Sequence, residues 1–118
     1  MRVVIAGSRD IEDPAVVAAA ITASGFTITE VVSGTARGVD RLAERWALCR
    51  GIPVLRFPAE WQRLGKRAGI VRNAAMIRCA ASSREGAVIA VWNGTSPGTR
   101  HTIECARANG LPVYVHRV

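Results

Sequence analysis

The stretch RVVIAGSR, residues 2–9, decides the fold of this chain. Apart from Arg2, residues 2–6 are apolar and mostly β-branched, which is typical of a strand buried on both faces of a sheet. Gly7 and Ser8 follow this strand directly, and Arg9 adds a planar guanidinium. Small residues at such a place let backbone N–H groups converge on an anion, particularly where a helix begins next. The stretch therefore predicts a strand that ends in an anion-binding loop.

Two later segments repeat this pattern, namely SGTARGVD at residues 33–40 and NGTSPGTR at residues 93–100. Each follows an apolar run that reads as a strand, and each leads into an amphipathic stretch that reads as a helix. Glycine, hydroxyl, amide and guanidinium groups make both segments rich in donors for phosphate. The predicted ligand residues in the two segments are Gly34, Thr35, Arg37, Gly38, Asp40, Asn93, Gly94, Ser96, Gly98 and Thr99.

Strands and helices alternate along the whole chain. Asp13 and Pro14 predict the cap and first turn of the first helix, and Gly25 predicts its end. The predicted strands are residues 2–6, 28–33, 52–57, 87–92 and 112–116. The predicted helices are residues 14–24, 39–50, 70–81 and 99–109, with a polar, basic connector at residues 59–69.

This alternation predicts an α/β fold, in which helices cover both faces of an open parallel sheet to give three layers. Right-handed crossovers give the strand order 3-2-1-4-5 for a single domain over residues 1–118. In that order, strand 1 lies between strands 2 and 4. Because the carboxyl ends of parallel strands share one edge, the three glycine segments should meet in one crevice, where such sheets bind ligands.

The region WQRLGKRAGIVRN, residues 61–73, could contribute to that crevice. Trp61 either stacks on a base or covers the core. Arg72 and Asn73, near the start of the third helix, could point into the crevice. Arg63, Lys66, Arg67 and Arg72 could form a basic rim.

Helical spacing predicts that Ile70, Ala74 and Ile77 form the buried face of the third helix. The three cysteines are widely spaced and contain no CxxC pair, so neither a disulfide framework nor a zinc site is expected. Cys49 and Cys105 are expected to be buried thiols inside helices.

The composition is 49% apolar and 21% charged over 118 residues, which is typical of a globular domain. No apolar run is long enough to cross a membrane, and residues 1–10 lack the features of a signal peptide. We therefore expect a cytoplasmic protein without membrane contact. The net charge of +7, from fifteen Arg and one Lys, makes polyanionic partners plausible, with nucleic acid secondary to a nucleotide.

The sequence lacks the motifs that are typical of several kinds of binding site. The chain contains neither a P-loop nor the GxGxxG dinucleotide motif after its first strand, and His101 and His116 have no matching ligand set for a metal. No cofactor is expected. Asp40 and Glu104 are the two candidate catalytic acids.

The segments GSR, SGTARGVDRLAERWA, IVRNAAM and the late GT loop occur in the order found in the SLOG superfamily. The chain resembles its small YspA-type branch over residues 2–115. The resemblance implies a Rossmann-like fold that binds nucleotides or nucleotide-derived ligands, as a homodimer in many relatives and as a sensor in bacterial or phage defence. The pocket residues carried over by motif are Gly7, Ser8, Arg9, Gly34, Thr35, Asp40, Arg72, Asn73, Gly98 and Thr99.

Two relatives suggest alternative functions. Lonely-guy phosphoribohydrolases cleave the base from a nucleoside monophosphate and carry PGGxGTxxE, with Glu three residues after Thr. Here Glu104 lies five residues after Thr99, and two extra residues rotate a helical side chain by about 200°. Glu104 should therefore face away from the crevice. DprA/Smf proteins bind single-stranded DNA, which the net positive charge would also favour.

Overall fold

The chain contains five strands and five α-helices, and its structure is a computed structural model describing residues 1–118. One helix follows each of the first, second and fourth strands, whereas two helices follow the third. The strands are β1 (Arg2–Gly7), β2 (Glu30–Ser33), β3 (Val54–Arg56), β4 (Gly86–Trp92) and β5 (Val113–Arg117). The helices are α1 (Pro14–Ser24), α2 (Val39–Cys49), α3 (Trp61–Leu64), α4 (Ala68–Ala81) and α5 (Pro97–Ala108). A single 3₁₀ turn, Gly65–Arg67, joins α3 to α4.

All strand pairs are parallel, and the sheet has the order β3-β2-β1-β4-β5. The predicted Rossmann-like fold and its strand order are therefore confirmed. The longest pairing joins β1 to β4, from Arg2 beside Gly86 to Gly7 beside Val91. This register brings the ends of β1 and β4 to the same level of the sheet, beside the end of β2.

The sheet separates two apolar layers because alternate residues of each strand point to opposite faces. Val3 and Ile5 pack in one layer with α1 and α2, whereas Val4 and Ala6 pack in the other with α4 and α5. Every residue from Val3 to Ala6 is buried. Burial on both faces explains why β1 is continuously apolar rather than alternating.

The ends of α1 follow its sequence signals. Asp13 caps the helix, since its Oδ1 accepts a hydrogen bond from the Ala15 N–H at 2.9 Å. Gly25 ends the helix in the left-handed region with φ of 70°. Both predicted signals are confirmed, and they fix the path of the chain from the β1 loop to β2.

The connector at residues 59–69 is more ordered than its polar sequence suggested, because α3 and the 3₁₀ turn occupy most of it. Helix α4 consequently begins at Ala68, two residues before the predicted start. Ile70 is 57% exposed and Ala74 is only partly buried, so the predicted buried face is wrong at Ile70 and fully buried only at Ile77. The buried α4 residues of the apolar layer are Met76, Ile77 and Ala80, and Ile70 lies more than one turn before the first of them.

Cys49 is exposed at the last position of α2, so the expectation of a buried thiol is wrong there. The buried face of α2 contains Val39, Ala43 and Ala47. Cys49 follows Ala47 by two residues, a rotation of about 200° that turns it away from the sheet. Cys105 is partly buried beside the α4–α5 layer. No helix of the chain combines the length and apolar character that crossing a membrane requires.

Candidate functional site

A crevice of about 420 Å³ opens at the carboxyl edge of the sheet, where the loops after β1, β2 and β4 meet. Its volume lies within the range of small-molecule sites. Its lining is mostly polar, and only three of the seventeen residues are hydrophobic. The lining residues are Ala6, Gly7, Ser8, Arg9, Asp10, Ala36, Arg37, Asp40, Arg72, Asn73, Met76, Asn93, Ser96, Pro97, Gly98, Thr99 and Thr102.

The β1 loop supplies a buried hydroxyl to this crevice. Gly7 ends the strand against neighbouring backbone, because a Cβ there would lie 2.3 Å from the Val91 carbonyl oxygen and 2.7 Å from Val39 Cγ2. Ser8 follows with only 2% of its surface exposed, and its Oγ has no hydrogen-bond partner within the chain. A buried hydroxyl without a partner is unfavourable, so it marks a place where a ligand group could complete the structure.

The β2 loop is held close to the β1 loop. Gly38 has φ of 80°, and a Cβ there would lie 2.5 Å from the Ser8 carbonyl oxygen. Thr35 also has positive φ, 63°, and is the only non-glycine residue that does. Ser33 Oγ accepts a hydrogen bond from the Thr35 N–H at 3.1 Å, which helps to hold this strained turn.

Asp40 brings a buried carboxylate from the first turn of α2 to the crevice wall. It is 6% exposed, and its Oδ2 accepts a hydrogen bond from the Ala36 N–H at 3.2 Å. Burial raises the pKa of Asp40 from its ordinary 3.8 to about 6, although the Ala36 N–H and the charges of Arg72 and Arg9 act in the opposite direction. Asp40 can therefore accept hydrogen bonds near neutral pH and take up a proton in mild acid.

Arg72 and Asn73 connect α4 to the loops on either side of it. The Arg72 guanidinium donates to the Gly34 carbonyl oxygen at 2.5 Å and to Asn73 Oδ1 at 2.9 Å. Burial lowers the pKa of Arg72, yet an arginine remains charged. The Asn73 amide donates to the Gly98 carbonyl oxygen at 3.3 Å. One pair of neighbouring side chains thus links the β2 and β4 loops across the crevice.

The β4 loop presents the start of α5 to the crevice. Asn93 Oδ1 accepts hydrogen bonds from the backbone N–H groups of Thr95 and Ser96, both at 2.9 Å, which fixes the turn. Thr99 is buried and donates to Ser96 Oγ at 3.2 Å. A Cβ at Gly98 would meet nothing within 4 Å, so the chain leaves open space there.

Three guanidinium groups give the crevice a positive charge. The ion pairs of the chain are Arg2–Glu30, Arg56–Glu44 and Arg63–Glu60, and none of them includes Arg9, Arg37 or Arg72. Arg9 and Arg37 are exposed at the mouth, whereas Arg72 is half-buried. Asp10 and Asp40 also line the crevice, and the Asp40 charge acts on Arg72, but the three guanidinium groups outnumber the two carboxylates. This excess of positive charge is available to an anionic ligand.

A second recess of about 380 Å³ adjoins the crevice on the side of α3. We call it the outer recess, and its lining residues are Arg9, Gly34, Thr35, Ala36, Arg37, Pro58, Ala59, Trp61 and Arg72. Trp61 is 49% exposed and belongs to neither apolar layer. The alternative in which Trp61 covers the core is therefore wrong.

The structure brings most of the predicted binding residues to these two cavities. Gly34 and Thr35 line the outer recess, and Gly38 supports the β1 loop from behind. Gly94 lies apart, with φ of 87° beside the Arg117 guanidinium, and Glu104 is exposed on α5 outside both cavities. The predicted residues that line the crevice itself are Gly7, Ser8, Arg9, Arg37, Asp40, Arg72, Asn73, Asn93, Ser96, Gly98 and Thr99.

Six residues that line the crevice were not predicted from the sequence, namely Ala6, Asp10, Ala36, Met76, Pro97 and Thr102. Asp10 directly follows the GSR motif, so its place in the sequence next to Arg9 is a signal that could have identified it. Met76 and Thr102 lie one helical turn after Asn73 and Thr99 on the same helix faces, and that periodicity could have found them. No group of three His, Cys, Asp or Glu side chains is placed to hold a metal ion.

Comparisons with known proteins find a matching family and a similar phage protein. The sequence model of a family described as "YAcAr: YspA, cpYpsA-related SLOG family" matches residues 1–64, which include the loops after β1 and β2. The Gene 61 protein of Mycobacterium phage D29 is 39% identical over 89 residues, covering 70% of this chain and 67% of the phage protein.

Proposed function

This chain belongs to the YspA, cpYpsA-related SLOG family, and from that premise we propose that its crevice binds the phosphate-bearing part of a nucleotide or nucleotide-derived ligand. In this proposal the chain is a ligand-binding module that senses such a molecule. The loops after β1, β2 and β4 would surround the ligand from three sides.

The observation that carries the proposal is the Ser8 hydroxyl, which is buried at the crevice without a hydrogen-bond partner. An oxygen of a phosphate group could accept a hydrogen bond from Ser8 Oγ. A charge-assisted hydrogen bond of this kind is stronger than a neutral one. The ligand would thus satisfy a group that the folded chain leaves unsatisfied.

Positive charge and backbone dipoles at the same place support an anionic ligand. Arg9 and Arg72 line the crevice without ion-pair partners, and α5 begins at its wall with Pro97 in the first turn. The first N–H groups of a helix have no partner within the helix and favour an anion. The open space at Gly98 would let a phosphate oxygen approach them.

Asp40 would contribute to recognition of the sugar. A buried carboxylate repels phosphate but accepts hydrogen bonds from ribose hydroxyl groups. Asp40 lies on the wall formed by α2, where its Oδ2 accepts a hydrogen bond from the Ala36 N–H. Its Oδ1 accepts no hydrogen bond from the chain, so it can accept one from a ligand. This arrangement favours a nucleotide over inorganic phosphate.

A thermal-shift panel tests the proposal. A ligand that prefers the folded state stabilises it by about 2.7 kcal/mol at one hundred times its Kd. We expect AMP, ADP or cyclic ADP-ribose at millimolar concentration to raise the Tm of the wild-type chain. The same ligand should cause a smaller rise in the Tm of the Ser8→Ala variant. The absence of a shift with every phosphate ligand would contradict the proposal.

Asp40 also favours a second candidate, an N-glycosidic hydrolase of nucleoside monophosphates. Its carboxylate, with a pKa of about 6, lies in the crevice and could stabilise positive charge on the ribose as the bond to the base breaks. Glu104, the other predicted acid, does not line the crevice. Free base released by the wild type and not by Asp40→Asn would support this candidate, and no release at high enzyme concentration would exclude it.

A further inference from the structure

We propose that the outer recess is a second subsite and that the ligand is a dinucleotide, with one nucleotide unit in the crevice and a second ring on Trp61. The bridging phosphates would lie between the two cavities. This inference rests on the proposed function of the crevice, which it extends by naming the ligand class.

The wall shared by the two cavities is the first argument. Both are lined by Arg9, Ala36, Arg37 and Arg72, so three of the four shared residues are arginines. None of these arginines has an ion-pair partner. A planar guanidinium suits phosphate oxygens, and a pyrophosphate carries about two negative charges. Three arginines outside the ion pairs of the chain thus lie where a bridge between two nucleosides would cross.

Trp61 is the second argument. Trp61 is 49% exposed on a helix of four residues and belongs to neither apolar layer, so packing within the fold does not explain its presence there. A Cβ at Gly69 would lie 3.4 Å from Trp61 Cη2, which shows that the ring edge lies close to α4. Pro58 and Ala59 line the same recess. An indole face beside small apolar groups and arginines is typical of a stacking site for a base.

The strained turn at Thr35 is the third argument. Thr35 lines the outer recess with φ of 63°, a conformation that is unfavourable for a β-branched residue. The Ser33 hydroxyl accepts a hydrogen bond from the Thr35 N–H. The Arg72 guanidinium donates a hydrogen bond to the carbonyl oxygen of the preceding residue, Gly34. The surrounding contacts therefore maintain a costly backbone shape at the wall of this recess, which is common at ligand sites.

Paired titrations of nucleoside diphosphates and dinucleotides test the inference. Isothermal titration calorimetry would compare ADP with diadenosine diphosphate, and GDP with diguanosine diphosphate. The variants are Trp61→Ala, Trp61→Phe, and Ile70→Ala as a control that truncates an exposed apolar side chain outside both cavities. A melting curve of each variant confirms that it is folded.

We expect at least one dinucleotide to bind the wild type about 5- to 150-fold more tightly than its nucleoside diphosphate, the range that one stacked base contributes. Trp61→Ala should remove this advantage and leave the diphosphate affinity unchanged. Trp61→Phe should retain most of it, and Ile70→Ala all of it.

Equal affinities of both dinucleotides and their diphosphates for the wild type would overturn the inference while leaving the proposed function supported. A Trp61→Ala variant that keeps the full advantage, or that weakens both ligand types equally, would also overturn it. If no diphosphate and no dinucleotide binds, the proposed function and the inference fail together.

Discussion

The guanidinium of Arg72 donates a hydrogen bond to the Gly34 carbonyl oxygen at 2.5 Å across 38 residues of sequence. A Cβ at Gly34 would lie 2.7 Å from the Arg72 Nη1 atom and 2.8 Å from Asp40 Oδ2. Gly34 therefore leaves the space in which a half-buried guanidinium and a buried carboxylate lie beside one loop. The charges of Arg72 and Asp40 therefore act on each other at the wall of the crevice.

Replacement of Ser8 by Ala should separate ligand binding from folding. Because Ser8 Oγ is buried without a partner, its removal should leave the Tm unchanged or raise it slightly. The lost hydrogen bond to a charged ligand should weaken AMP binding by about 10- to 100-fold. Calorimetric titration and melting curves measure both effects. A lower Tm with unchanged affinity would show that the hydroxyl serves the fold.

Two glycine substitutions form a matched pair. Gly7→Ala places a methyl group 2.3 Å from a backbone oxygen, so it should destabilise the chain by about 2 kcal/mol or more. Gly98→Ala enters open space within a helical turn, so stability should stay the same or rise by up to about 1 kcal/mol. AMP binding should weaken in Gly98→Ala, because the methyl group would occupy space proposed for phosphate. Urea unfolding and titration measure the two quantities, and equal destabilisation by both substitutions would contradict this assignment.

Asp40 should make stability depend on pH. The unfolded chain releases the Asp40 proton near pH 3.8, whereas the folded chain keeps it until about pH 6. Stability is therefore lost as the pH rises from about 4 to about 6, and a penalty of about 3 kcal/mol remains above that window.

Asp40→Asn lacks this penalty and keeps an oxygen for the Ala36 N–H. Urea unfolding at pH 4, 5, 6 and 7 should show the wild type losing stability relative to Asp40→Asn as the pH rises. A difference that stays constant, or that changes in favour of the wild type, would contradict the raised pKa.

The free arginines at the crevice mouth should contribute to affinity and not to stability. Arg9→Gln and Arg37→Gln should each weaken AMP binding about threefold to tenfold, with less effect at high salt. Arg41→Gln is the matched control, because Arg41 is exposed and lines neither cavity. Titrations with AMP at 50 and 500 mM NaCl measure the loss of affinity. An equal loss of affinity in Arg41→Gln would show that only the net charge of the protein matters, and would contradict a specific role of Arg9 and Arg37.

The sequence was sufficient for the strand order, because regular alternation of strands and helices leaves few topologies for a parallel sheet. It was also sufficient to bring Ser8, Asp40 and Thr99 to one edge, since the ends of neighbouring parallel strands always meet. These predictions depend on rules of connection that hold without any side-chain detail.

Other features depend on contacts between distant residues and could not be predicted. The sequence offers no sign that Gly7 is required by the Val91 carbonyl oxygen, or that Ser8 is left without a partner. The exposure of Ile70 depends on which part of α4 lies over the sheet, and the spacing of apolar residues along a helix does not give that information. The rotation of Glu104 away from the crevice was foreseeable, because it follows from residue counting along α5.

A crystal structure grown with millimolar ADP tests the central claim most directly. The account predicts phosphate oxygens within hydrogen-bonding distance of Ser8 Oγ and beside the Arg9 and Arg72 guanidinium groups, with the ribose near Asp40. ADP bound on another face of the molecule, with the crevice between the ends of β1, β2 and β4 left empty, would contradict it.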